Sequence, residues 1–178
     1  MNRNDSGFLW AIALCAAMAC NASESSNGKD YRAGMNGYGP VRVGMTVRQV
    51  EHAIGRKLVI PPEYENEVCQ YVDLGGGDGL EGTDAMLWSG RVVRLDFRSN
   101  GIKTISGLAI GDPVEKIKTI YRDRVTKEPH AYIAPDGFYY TIYSSNRKYG
   151  VRFETDQDLV TGFYAGRSDA IELVEGCL

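Results

Sequence analysis

The chain has 178 residues, 43% of them hydrophobic and 24% charged, with a net charge of −3. Enough apolar side chain is present to bury a core, which excludes disorder of the whole chain. Cations and acids are interspersed, with neither a basic run to engage nucleic acid nor an acidic tail to engage a basic partner.

The N-terminus reads as an export signal. Gly7 to Ala19 is a continuous apolar run of about 13 residues, too short to span a bilayer and the length of a signal-peptide core. Ala17 and Ala19 give a small-x-small cleavage pattern, so residues 1–19 are assigned as signal peptide. Small residues followed by Cys20 resemble the bacterial lipoprotein signal, which implies lipidation of Cys20. The sequence departs from that signal at Ala17, where Leu is usual, and at Met18. The alternative is plain export, with cleavage before Cys20 or after Ala22. With lipid on Cys20, Asn21 in the following position implies sorting to the outer membrane. The expected location is therefore the periplasm, with anchoring at the outer membrane and membrane contact through the lipid alone.

Once Cys15 leaves with the signal and Cys20 carries lipid, Cys69 and Cys177 remain. One pair in an oxidising compartment predicts a disulfide. It closes a loop of about 108 residues, worth roughly 4–5 kcal/mol in the chain-entropy model.

Residues 20–39 are polar and Gly-rich without period, and are expected to form a flexible tether. Val41 and Val43 then alternate with Arg42 as a short extended entry. Thr46 and Gln49 match a capping box. Val47, Val50, Ala53 and Ile54 make one helical stripe and Gly55 a left-handed stop, which predicts a helix over 47–54. Cys69–Leu74 reads as a strand and Gly75–Gly82 as an irregular, flexible loop. Ala85–Trp88 and Arg91–Phe97 read as a hairpin in which Val93, Leu95 and Phe97 face one way and Arg94 and Asp96 the other.

A second copy of the entry motif begins at Leu108, with Asp112 as expected N-cap, Pro113 at the first helical position and a stripe of Val114, Ile117, Ile120 and Tyr121. Phe138–Tyr143 is rich in β formers, and Tyr149–Glu154 with Leu159–Tyr164 reads as a last hairpin. Laying Gly44 on Gly111 puts Tyr71 on Phe138, Met86 on Phe153, Val93 on Val160 and Phe97 on Tyr164. This matching predicts an internal duplication. The expected fold class is α+β: two repeats, 40–106 and 107–178, each a helix followed by antiparallel strands, with the helices packed on a sheet.

Val43-Gly44-Met45-Thr46-Val47-Arg48-Gln49-Val50, with Gly55 following, resembles a family of secreted bacterial domains. That family includes the small accessory lipoprotein of the outer-membrane barrel-assembly machinery (SmpA/BamE type) and the β-lactamase inhibitory protein, which holds two such units. The resemblance implies a non-enzymatic protein binder. The second copy departs, with Asp112-Pro113 where Met-Thr is expected.

The sequence contains no G-x-S-x-G, H-E-x-x-H, Walker loop or C-x-x-C. His52 is expected on a polar helix face. Asp73, Asp78, Glu81 and Asp84 cluster around the Gly-rich loop, but their spacing does not match a calcium-binding EF-hand. No metal, cofactor or nucleic acid is expected. Eleven tyrosines exceed what a core of this size needs, and tyrosine is enriched at interfaces. Tyr139, Tyr143 and Tyr149, with Asp78 of the Gly-rich loop, are therefore the candidate binding residues. The expected activity is binding of another envelope or secreted protein without catalysis. The alternatives are an inhibitor or immunity-type protein against a secreted hydrolase, and a hydrolase lacking a recognisable motif.

Overall fold

The computed structural model describes residues 29–64 and 67–177. The expected signal peptide, Cys20 and the start of the expected tether lie outside the described residues.

The strands are β1 (Arg32–Ala33), β2 (Gly37–Tyr38), β3 (Val41–Arg42), β4 (Cys69–Asp73), β5 (Thr83–Trp88), β6 (Arg91–Phe97), β7 (Lys103–Thr104), β8 (Val125–Pro129), β9 (Gly137–Tyr143), β10 (Tyr149–Asp156) and β11 (Leu159–Arg167). Seven of these make one antiparallel sheet in the order β4-β5-β6-β11-β10-β9-β8. The halves of the chain join where β6 pairs β11, with Leu95 opposite Ala165 and Phe97 opposite Phe163.

One sheet face carries the main core. Leu95, Phe97, Phe163, Ala165, Val151, Phe153, Tyr140 and Ile142 are buried there in a single cluster. Phe97 stacks on Phe163 at 4.7 Å between ring centroids, and Tyr38 meets Phe97 edge-on at 5.3 Å. Tyr38 belongs to the stretch expected as a tether, yet it is 4% exposed. From residue 32 onward that stretch is folded: β1 pairs in parallel with β7, and β2 pairs with β3. Alternating apolar residues are sparse there, so the pattern gave no sign of it.

The helices are α1 (Val47–Ile54), α2 (Val114–Tyr121) and α3 (Ser168–Ile171). Helix α1 has the expected capping box, with Thr46 and Gln49 exchanging side-chain to backbone bonds, and Gly55 ends it in the left-handed region. The N-cap of α2 is Pro113. Asp112 instead accepts from the Ala109 amide at 2.8 Å and from Lys116 at 2.7 Å, closing the turn that enters the helix.

The two glycine turns are anchored alike. Gly44 donates to the Val92 carbonyl at 2.7 Å and Gly111 to that of Val160 at 2.8 Å. Both glycines have positive φ, +93° and +86°, and a Cβ at either position would meet nothing within 4 Å. Backbone conformation, not space, requires glycine there.

The expected α+β plan of two repeats with helices packed on a sheet is overturned. The described residues are mostly β, with one continuous seven-stranded sheet and three short helices. The reason is length: α1 and α2 have eight residues each, and α1 buries only Val50 completely. Strand side chains and the folded segment from residue 32 fill most of the core instead. Strand β8 was not foreseen; Ala131–Ile133 lies in turns beyond it.

Candidate functional site

The second face of the sheet is built from polar residues, because alternation along each strand sends them away from the core. Register places Tyr71 and Asp73 of β4, Asp84 and Met86 of β5, Arg94 and Asp96 of β6, Gly162, Tyr164 and Gly166 of β11, Arg152 and Glu154 of β10, and Tyr139, Thr141 and Tyr143 of β9 on that face. It is nevertheless largely buried: Arg94 is 4% exposed, Arg152 5% and Tyr164 6%.

The C-terminal segment covers part of this face. Glycine at 150 leaves room for α3: Ile171 Cδ1 lies only 2.6 Å from where a side chain there would begin. Met86, Val93 and Ala170 form a small second core, with Tyr71, Leu173, Cys69 and Cys177 packed against it. The predicted disulfide joins Cys69 to Cys177, with Cα atoms 5.3 Å apart, and holds the segment's end to edge strand β4.

Arg94 fixes the middle of the segment. Its guanidinium forms a fork to Asp96, at 2.7 and 2.8 Å, and donates to the carbonyls of Ala170 at 3.1 Å and Leu173 at 2.7 Å. It also donates to Tyr71 Oη and lies 4.2 Å above the Tyr164 ring. Burial, with the Asp96 charge alongside, pushes the Tyr71 phenol up to about 12. Burial likewise holds the Tyr164 phenol well above its ordinary value, reinforced by Glu154.

Beyond the segment's edge, Arg94, Asp96, Arg98, Glu154, Thr161, Gly162, Tyr164 and Val174 line a cleft of about 320 Å³. Its floor contains a β-bulge: Glu154 opposes Gly162, Thr155 opposes Val160, and Thr161 is the extra residue. Bulges re-aim side chains and are common beside functional sites. Asp73, Asp84 and Asp96 lie side by side on adjacent strands. Burial raises the Asp84 pKa; Arg98 opposes this at 2.8 Å, while Asp73 and Asp96 add to it.

The structure places the candidate binding residues in separate settings. Tyr139 is 2% exposed, stacked on His130 at 4.4 Å and overlain by the Arg152 guanidinium at 4.1 Å, so it is a packing residue. Tyr143 is half-buried and donates to Glu172 at 2.7 Å; burial and that carboxylate push its phenol up to about 12. Alternation puts Tyr149 on the opposite face from Tyr143. Asp78 sits 3.8 Å from Arg56, which also donates to the carbonyls of Leu74 and Gly75. Tyr38 Oη donates to the Gly79 carbonyl at 3.0 Å. The Gly-rich loop expected to be flexible is thus fastened at both ends, and these four residues do not form one surface.

The cleft residues were not singled out in the sequence. The available signal was the alternation that turned Arg94 and Asp96 away from Leu95 and Phe97. Among the described residues, no group of three or more His, Cys, Asp or Glu is arranged to hold a metal ion, and no helix is long and apolar enough to cross a membrane.

No protein-family model matches the chain, and no curated protein matches it. Among solved structures, the uncharacterized protein yfeY from Escherichia coli is similar, with a TM-score of 0.48 and 12% identity, over 76% of this chain and 99% of that one. The resemblance drawn from the Gly44 motif therefore stands on that motif alone.

Proposed function

We propose that this chain is an exported bacterial envelope protein, anchored through lipid on Cys20, that acts without catalysis by binding another envelope or secreted protein. The observation that carries this reading is the partly covered, charged face of the seven-stranded sheet. There Arg94 with Asp96, Arg98 with Asp84, and Arg152 with Glu128 are paired across or along the strands. Paired charges on a rigid sheet suit a fixed recognition surface, in which complementarity selects the partner and speeds encounter. The Cys69–Cys177 disulfide supports an oxidising compartment. The export signal and the cysteine at its end support the anchor.

The test is site-specific photocrosslinking in the native envelope from exposed positions around the cleft, Arg98 and Thr161, with Tyr132 as a remote control. One partner captured from the cleft positions and not from Tyr132 supports the reading. Equal capture from all three, or none, overturns it. Palmitate labelling that survives Cys20→Ala would remove the anchor.

A further inference from the structure

We infer that the cleft beside Glu154 receives one basic side chain, an arginine or lysine, from the protein partner. This deepens the binding reading above and rests on it.

Charge accounting isolates Glu154. Arg94 is committed to Asp96 and Arg98 to Asp84. Arg152 leans over the Tyr139 ring toward Glu128, 3.2 Å away. Among the described residues, no cation stands within ion-pair distance of the half-buried Glu154 carboxylate. Removing an acid from water without a counter-charge is costly, and an incoming ammonium or guanidinium offsets that cost. An anionic ligand would meet the same carboxylate and be repelled.

Tyr164 walls the cleft and is 6% exposed. Its Oη is itself buried, so the acceptor that the cleft offers a cationic group is the Glu154 carboxylate.

The floor is shaped for entry. Gly162 faces Glu154 in register. A Cβ added at Gly162 would make only ordinary contact with Glu154 Oε2, at 3.6 Å. Neither backbone nor packing therefore demands glycine there, and its effect is to keep the space open. Val174 gives an apolar wall for a methylene stem. At about 320 Å³ the cleft lies near the lower end of ligand pockets, roughly 300–1,000 Å³, a size suited to one side chain.

The test uses the exported full chain, isotope-labelled for amide NMR and titrated at constant ionic strength with N-acetyl-arginine amide, N-acetyl-lysine amide and N-acetyl-glutamate amide. Saturable shifts are expected at Glu154, Thr161, Gly162, Tyr164 and Val174 with either basic probe and not with the acidic one. Glu154→Gln, whose fold is checked by its spectrum, should weaken binding at least tenfold. Gly162→Leu should block the cleft with Glu154 intact, while Glu115→Gln, at an exposed acid of α2 away from the cleft, should leave affinity unchanged. Shifts scattered over all acidic surfaces, or affinity unaltered by Glu154→Gln, overturn the proposal. If Glu154→Gln abolishes probe binding but the envelope crosslinks persist unchanged, the cleft assignment fails as a partner contact while the binding reading survives. If crosslinking finds no partner in the parent chain, it is the binding reading that fails.

Discussion

Arg94 donates to the carbonyl of Leu173 at 2.7 Å, binding the second strand of the β5–β6 hairpin to a segment almost eighty residues later. The same guanidinium neutralises Asp96. One side chain thus satisfies a buried carboxylate and two buried carbonyls and sets where the C-terminal segment crosses the sheet. That crossing decides which part of the polar face is covered and which part remains as the cleft.

Arg94→Met is expected to destabilise the protein by about 3–5 kcal/mol, because it strands a largely buried carboxylate. The side chains of Arg94 and Asp96 are only 5% and 15% exposed. Urea denaturation measures the loss. Replacing both residues, as Arg94→Met with Asp96→Leu, should recover part of it by removing the unpaired charge. A double variant no more stable than the single one would show that the bonds to Ala170 and Leu173 dominate.

Reduction of the Cys69–Cys177 disulfide should lower stability by roughly 2–5 kcal/mol, the usual effect of opening a long loop. The bond spans 108 positions. The Arg94 clamp lies inward of it, so α3 should stay docked while the last residues loosen. Hydrogen exchange after reduction should therefore rise at Gly176 and Cys177 before it rises at Ala170. Simultaneous exchange along the whole segment would show that the disulfide, not Arg94, holds it down.

Thr46→Ala should cost about 1 kcal/mol, the typical worth of an N-cap. Thr46 Oγ1 accepts the Gln49 amide at 3.3 Å, and Gln49 Oε1 accepts the Thr46 amide at 2.9 Å. Pro113, at the equivalent place in α2, makes no side-chain cap bond, so Pro113→Ala should leave that cap unaffected. Chemical denaturation of the two variants checks the contrast.

The parts of the fold legible in sequence were those governed by local rules. The capping box at Thr46, the stop at Gly55 and the alternation from Arg94 to Phe97 each depend on neighbours within a few residues; Val93, expected beside Leu95 and Phe97, packs instead with Met86 and Ala170 on the other face, because the register of β5 on β6 shifts between Met86 and Leu87. Pairing of the two cysteines followed from compartment and count. The pairing of β6 with β11 and the crossing of α3 over Gly150 are long-range, and no local pattern encodes them. Tyr139 shows the limit: composition marked it as an interface residue, but the C-terminal half of the sheet surrounds it with His130 and Arg152. Asp78 was legible as a loop acid, but not its partial burial beside Arg56, which follows the C-cap of α1.

Asp84 links the charged face to pH. Burial raises its pKa, as do Asp73 and Asp96 on the flanking strands, against the opposing charge of Arg98. A carboxyl with a folded pKa above its unfolded value binds its proton more tightly when folded. Its ionisation therefore weakens the fold, and that weakening is fully present above the folded pKa. It disappears as pH falls through the folded pKa to below the unfolded value of about 3.9. Asp84→Asn should consequently raise Tm at pH 7, with the difference from the parent narrowing toward zero below about pH 4. Thermal unfolding of both proteins from pH 3 to pH 8 measures this. A variant less stable than the parent at pH 7 would mean that the 2.8 Å pair with Arg98 outweighs burial and the neighbouring acids. A difference that stayed constant with pH would show that the carboxyl does not titrate differently on folding.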